Sequence, residues 1–316
     1  MKSNVFWNRG NKTVRLNPII TDATIEKSSD SMGTVTLVIN KERLKDFKFE
    51  IGDNILIPYF NNNSKVLFRG KIFKVGYTNN DEIEITAYDI LKYFQGTKYN
   101  VFPTTELGNI IKVMCADLAV EYGYLEKTPA CPAKLFTDKT YGDILVEYQE
   151  FLLYMNGKKY VHRVENNQIA LRNLADLMTG YVITDAITTD YSYEESAEDL
   201  INVVEITKKN DKTGEYTRYV IGDRESMDKL GVLVTSEEAD EEDTWEQMVN
   251  MAKNKLFINN QYKYDLSFSI PGLVLLNVFD VIKTNINGQA NMGFIDSISW
   301  NLIDETTEIK LSILGK

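Results

Sequence analysis

The chain has 316 residues, long for a single hydrophobic core, so two or three domains are expected. Apolar residues at 43% place it among globular rather than disordered proteins. A net charge of −11 argues against a nucleic-acid grip, which needs clustered Lys and Arg.

The opening "MKSNVFWNRGNK" carries no apolar segment of the kind a secretory signal needs. Strand patterning follows. In "GTVTLVIN", Val35, Leu37 and Ile39 share one face by alternation. "DNILIPYF" and "VLFRGKIFKVGY" flank the turn "NNNS", a hairpin signal. In "EIEITA", Ile83, Ile85 and Ala87 point one way, and Glu82, Glu84 and Thr86 the other. Gly70 interrupts a strand, which marks a bulge or a bend at a barrel corner. Short strands at this spacing predict a small closed β-barrel over residues 1–100.

After "NVFPTT" the period lengthens. Leu107, Ile110, Ile111, Met114, Leu118 and Tyr122 predict one face of a helix, broken by "TPACPAK". A second helix carries Ile144, Leu145, Tyr148, Phe151, Leu152 and Met155, and Asn156–Gly157 is its stop. "KKYVHRVENNQIALRNL" then reads as a hairpin turning at Asn166–Asn167. This α/β insert is assigned to residues 101–180.

A second β-barrel domain is expected over residues 181–316, with an inserted helix at about 244–257. Thr244 and Gln247 have capping-box spacing at its start. The longest apolar run, "PGLVLLNVF", is too short to cross a bilayer as a helix, so no membrane insertion is expected.

The two β-rich ends share an order of landmarks. Asp53 and Ile55 precede Gly70, Ile72 and "EIEITA"; Asp280 and Ile282 precede Gly293, Ile295 and "EIKLSI". The aligned inward faces are Ile83, Ile85 and Ala87 against Ile309, Leu311 and Ile313, with Phe279 in the place of Gly52 and Asp296 in that of Phe73. Duplication explains this order, and so does the general likeness of antiparallel hairpins; both readings stay open on the sequence.

Catalytic constellations are poorly represented. Glu147 and Glu150 could pair for glycoside hydrolysis, but carboxylates on a helix surface are common among 46 acids. His162, the sole histidine, lacks a nucleophile motif beside it. Cys115 and Cys131 lack metal-site spacing; a disulfide between them is possible, and reduced thiols are expected in a cytosol-made protein. The acidic run Glu237–Asp243 lacks the ligand pattern of a calcium loop and reads as carboxylates at a helix N-terminus, Asn210–Gly214 reads as a hairpin turn before a metal loop, and Tyr191 and Tyr193 read as packing residues before sugar-stacking ones. No catalytic, cofactor or metal residue is assigned.

"EIGDNILIPYF…LFRGKIFKVGY…EIEITAYDILKYF" and "NVFDVIKT…NMGFIDSISW…TEIKLSIL" resemble the baseplate hub proteins of contractile-tailed phages, the group of late-control protein D and the hubs of R-type tailocins. The resemblance is strongest over residues 50–95 and 199–316. It implies two related barrels per subunit and a homotrimer whose ring has approximate sixfold symmetry. Such a ring would join a hexameric tail tube protein to a trimeric spike protein and contact other baseplate proteins. It would be made in the bacterial cytoplasm and reside in a virion or tailocin particle. A tail-associated cell-wall hydrolase and a receptor-binding adhesin are the alternatives, the latter without a visible repetitive shaft.

Overall fold

The computed structural model describes residues 2–43, 48–60, 62–77, 81–210, 213–239 and 243–314. Part of the acidic run 237–243, part of the turn 210–214 and part of the turn 61–64 lie outside the described residues. The chain forms two compact units: Met1–Tyr148 with Tyr160–Ser192 and Leu266–Lys316, and Gln149–Lys159 with Tyr193–Asp265.

The first unit is mainly β. Alternation drives this: in Thr34–Asn40, Val35, Leu37 and Ile39 are buried and their neighbours are not. In chain order, Ile20–Ser28, Thr34–Asn40, Asn54–Tyr59, Asn62–Tyr77 and Glu82–Tyr88 lie side by side as first, second, fifth, fourth and third. Asp190–Ser196, Lys263–Pro271, Val281–Ile286, Gln289–Asn301 and Thr306–Ile313 repeat that order. The residues of the second unit, Tyr193–Asp265, leave the chain between the first and second strands of this later five.

Two separate closed barrels are not what the pairings describe. Among the described residues, both sets belong to one 13-stranded sheet, because Thr24–Ser28 pairs antiparallel with Ser297–Asn301. The physical reason is an edge: the opening strand of the first set would otherwise expose a row of unpaired backbone groups. One hydrophobic cluster serves both sets, from Trp7, Leu37 and Ile55 to Ile282, Trp300 and Leu311. Each large side chain buried there contributes about 1.5–3 kcal/mol.

Local signals account for the helices and turns. Tyr141–Asn156 ends where Gly157 takes φ +70°, and the hairpin Tyr160–Glu165 to Gln168–Asn173 turns on Asn166 and Asn167 at φ +50° and +66°. The earlier helix is shorter than expected, Leu107–Leu118. Ala119 closes it in the left-handed region, and Tyr122 sits in the strand Tyr122–Leu125, paired in parallel with Gln168–Asn173. The apolar period therefore ran on past the helix into a strand.

The second unit holds a three-stranded sheet, Val203–Lys209 between Tyr216–Gly222 and Val234–Glu238, and the helix Trp245–Asn259. Thr244 and Gln247 form a complete capping box at its start. Its core joins Val204 and Ile206 to Met248 and Ala252. Thr244→Ala is expected to cost about 1 kcal/mol, read as faster hydrogen exchange in the first turn of this helix with the sheet of the first unit unchanged.

Candidate functional site

The feature with the most built geometry is a corner that occurs twice. Asp53 opens the third strand of the first set. Its carboxylate accepts from the Trp7 indole N–H at 2.8 Å, from Arg9 Nε at 2.6 Å and Arg9 Nη2 at 2.7 Å, and from the Glu50 N–H at 2.9 Å. Burial pushes this carboxyl up, but the bonds from Arg9, Glu50 and Trp7 outweigh it and hold Asp53 below the ordinary carboxylate value. Asp280 opens the matching strand. It accepts from the Asn277 N–H at 2.8 Å and from Arg163 Nη1 at 2.6 Å.

The backbone around the two carboxylates follows the same path. Gly52 N–H donates to the Ile72 carbonyl at 2.8 Å, and Ile72 N–H to the Asp53 carbonyl at 2.8 Å. Phe279 N–H donates to the Ile295 carbonyl at 2.8 Å, and Ile295 N–H to the Asp280 carbonyl at 3.0 Å. Gly52 has φ +94° and Phe279 φ +67°. A phenylalanine in that region is strained, and it is held there by its hydrogen bond and by its ring stacked on Phe294 at 6.0 Å.

The two glycines occupy the same place in each ladder. Gly70 is opposite Ile55, and Gly293 is opposite Ile282. A Cβ on Gly70 would collide with the Tyr88 carbonyl oxygen; one on Gly293 would stand 2.6 Å from the Ser312 carbonyl oxygen. Close approach of the fifth strand is what requires glycine here. A bulge follows each glycine, between Ile72 and Lys74 and between Ile295 and Ser297. Phe73 and Asp296 are thus the inserted residues.

The ladders also set the register between the final strands. Ile72 is opposite Ala87 and Val75 opposite Ile85; Ile295 is opposite Leu311 and Ile298 opposite Ile309. Ile85 therefore matches Ile309, Ala87 matches Leu311, and Ile83 falls on Thr307, a shift of one alternation step from the sequence alignment. Ile72, Ile83, Ile85, Ile295, Ile309 and Leu311 are all buried.

The other residues singled out in the sequence stand apart from this corner. Glu147 is ion-paired to Lys134 at 2.5 Å and to Lys139; burial raises its carboxyl, and these two lysines outweigh burial and lower it. Glu150 is exposed on the same helix. Burial pushes His162 down to about 4, leaving the imidazole uncharged at neutral pH, and pushes the Cys115 and Cys131 thiols up to about 11 and about 12. Both cysteines are free thiols. Tyr191 is exposed. Among the described residues, no cluster of His, Cys, Asp or Glu is placed to hold a metal ion.

Sequence reasoning missed Arg9 and Arg163. Their only sequence signal is an arginine in an alternating strand, far from the carboxylate each one meets.

The fold is shared with solved phage tail proteins. The tail protein from Neisseria meningitidis MC58 superposes with a TM-score of 0.71 at 11% identity, over 99% of this chain and 97% of that one. The prophage MuSo2 43 kDa tail protein from Shewanella oneidensis gives 0.70 at 13% identity, over 98% of each. The E. coli c3393 protein, described as a type VI secretion component structurally similar to the T4 tail proteins gp27 and gp5, gives 0.55 at 7% identity over 94% and 74%. No curated protein sequence matches the chain. A family model matches residues 23–312, and the chain belongs to the YQBQ-like family.

Two predictions follow from the corner. Gly70→Ala and Gly293→Ala should each destabilise the protein by about 1–3 kcal/mol through overpacking, whereas Gly180→Ala, where a Cβ meets nothing within 4 Å, should be near neutral; thermal unfolding decides. Because the Asp53 pKa is depressed in the folded state, its stabilisation is full above the ordinary carboxylate range and is lost as pH falls through the folded value. Asp53→Asn should therefore lower Tm at pH 7, and the gap to wild type should narrow steadily in acid.

Proposed function

We infer that the chain is a structural hub subunit of a contractile phage tail or tailocin. One observation carries the reading: the same five-strand order, with the same aspartate corner, glycine approach and bulge, occurs twice in one chain. Its product is geometry rather than chemistry. A subunit with two like modules converts threefold into approximately sixfold symmetry. Three copies then present six similar faces to a hexameric tail tube on one side and a threefold surface to a trimeric spike on the other. Residues 1–100 and 181–316 would supply the two modules, with 101–180 between them.

The known folds point the same way. Two tail proteins share this fold over nearly their whole length, and c3393 is described as similar to gp27 and gp5. We assign no enzymatic role, no cofactor and no membrane insertion. The partners are two further copies, the tube protein, the spike protein and other baseplate proteins, and the place is the tail of the particle.

The ring's bore would face passing duplex DNA in a phage, and the net charge of −11 suits a wall that does not hold phosphate. Sedimentation equilibrium with the tube and spike proteins present should give a complex holding three copies of this chain; a persistent monomer with both partners would refute the hub. Duplex-DNA binding at physiological salt should be undetectable by fluorescence anisotropy, and micromolar binding would refute the passive bore while leaving the ring intact.

A further inference from the structure

One cavity of the first unit gathers charge that the fold does not consume. It has a volume of about 460 Å³ and lies among the strand Ile20–Ser28, the near end of Asn62–Tyr77, the hairpin at Asn166–Asn167 and the segment before Val281. Five basic and three acidic side chains line it, on a chain whose balance is −11. Two of the basic groups are engaged. Arg163 donates to Glu165 at 2.7 Å and to Asp280 at 2.6 Å, and Arg172 donates to Glu165 at 2.7 Å. These bonds take up the carboxylates of Glu165 and Asp280. The third carboxylate, Asp89, is buried and accepts from the N–H groups of Gly33 and Leu91, both at 3.0 Å.

The other three cations, Lys27, Lys65 and Arg69, have no ion-pair partner among the described residues. Lys65 and Arg69 are exposed at the mouth, while Lys27 is half-buried with its Nζ over the Trp300 ring at 5.6 Å. A Cβ on Gly33 would collide with the Asp89 carboxylate and meet the Lys27 stem at 3.4 Å, so these two side chains are neighbours. Burial pulls the Lys27 ammonium below the ordinary lysine value; Arg163 adds to this, and Asp89 and Asp280 only partly oppose it. Burial likewise pushes Asp89 up to about 6, against Lys27 and its two N–H donors. A charge out of water is tolerated when it is paired, and here the partner is missing. An anion in the cavity would supply it.

The repeat does not require this arrangement. Gly70 matches Gly293, so Arg69 falls on Met292; Ala87 matches Leu311, so Asp89 falls on Ile313. Met292 and Ile313 pack against the hydrophobic core of the second set. The charged cavity therefore occurs once per chain, where the aspartate corner occurs twice. We propose that it receives an acidic peptide segment of a partner protein, with Lys27, Lys65 and Arg69 meeting the segment's carboxylates. The occupant is argued from charge: three unpaired cations around one concavity of an acidic chain complement a run of carboxylates. A site present once per chain binds a partner in equal number to this chain. That this partner is the trimeric spike, and not the hexameric tube, rests on the hub reading above.

The test is fluorescence anisotropy of a labelled hexa-aspartate peptide titrated with the full-length protein at low ionic strength. Wild type should bind at 1:1. Arg69→Glu and Lys27→Met should each weaken binding by about tenfold, with unchanged circular dichroism spectra. Lys253→Glu makes the same charge change as Arg69→Glu on an exposed residue of the helix Trp245–Asn259 and should behave as wild type. If Lys27→Met fails to fold, Lys27→Gln replaces it. Binding should tighten as pH falls from neutrality through 6, because a bound anion favours the protonated forms of both Lys27 and Asp89. No binding by wild type, equal loss in Lys253→Glu, or a profile that does not rise in acid overturns the proposal. Displacement of the peptide by an equal concentration of inorganic phosphate would reassign the cavity to a phosphate ligand and overturn it too. A spike complex that survives Arg69→Glu, when peptide binding is lost, would keep the cavity and refute the spike as its partner. A chain that binds the peptide but never forms a threefold ring would keep the cavity and refute the hub.

Discussion

A carboxylate at the start of a strand, buried in Asp53 and partly buried in Asp280, is the constraint on which the rest of the first unit depends. Asp53 and Asp280 each gather a backbone N–H three residues before them and an arginine from a distant strand. A charge taken from water is tolerated only when paired and hydrogen-bonded, so the corner can form in one way. That fixes the residue at which the third strand begins. The ladder then places the glycine, the glycine admits the fifth strand, and the bulge turns the fourth strand toward its next neighbour.

The joining of the two sets in one sheet has a direct cost and a direct use. A pair of closed barrels would leave no edges but also no means of extension. The open order leaves Thr24–Ser28 paired within the chain, while its counterpart Asp190–Ser196 is the terminal strand of the sheet among the described residues. Exposed edges are normally suppressed because they aggregate. Here Lys74, ion-paired to Glu84 at 2.9 Å, places charge on the far end of the strand Asn62–Tyr77, a feature that discourages indiscriminate pairing.

Much of this was legible in the sequence wherever the cause is local. Asn156–Gly157, Asn166–Asn167 and the Thr244–Gln247 capping box announced themselves because short-range hydrogen bonds and positive φ decide them. Asp53, Gly70, Asp280 and Gly293, aligned with one another in the sequence, are residues whose types the two corners use. The opening two strands of each set did not show, because their second occurrence is interrupted by Tyr193–Asp265. Arg9 and Arg163 were hidden by separations of 44 and 117 residues from their carboxylates. The extra alternation step at Ile83 was hidden because a shift of two residues leaves the buried face unchanged. The missing barrel closure was invisible for a related reason: alternation reveals which face is buried, not which edge is paired.

In the proposed hub, the two like modules of one chain let three subunits meet a sixfold partner. Electron cryomicroscopy of tail particles bearing this protein tests it most directly. The proposed hub should show three copies per tail, with both strand sets of every copy at the same radius around the axis, alternating at about sixty-degree steps against the tube. Six copies in a ring, or a single strand set of each copy facing the tube while the other lies away from the axis, would contradict it.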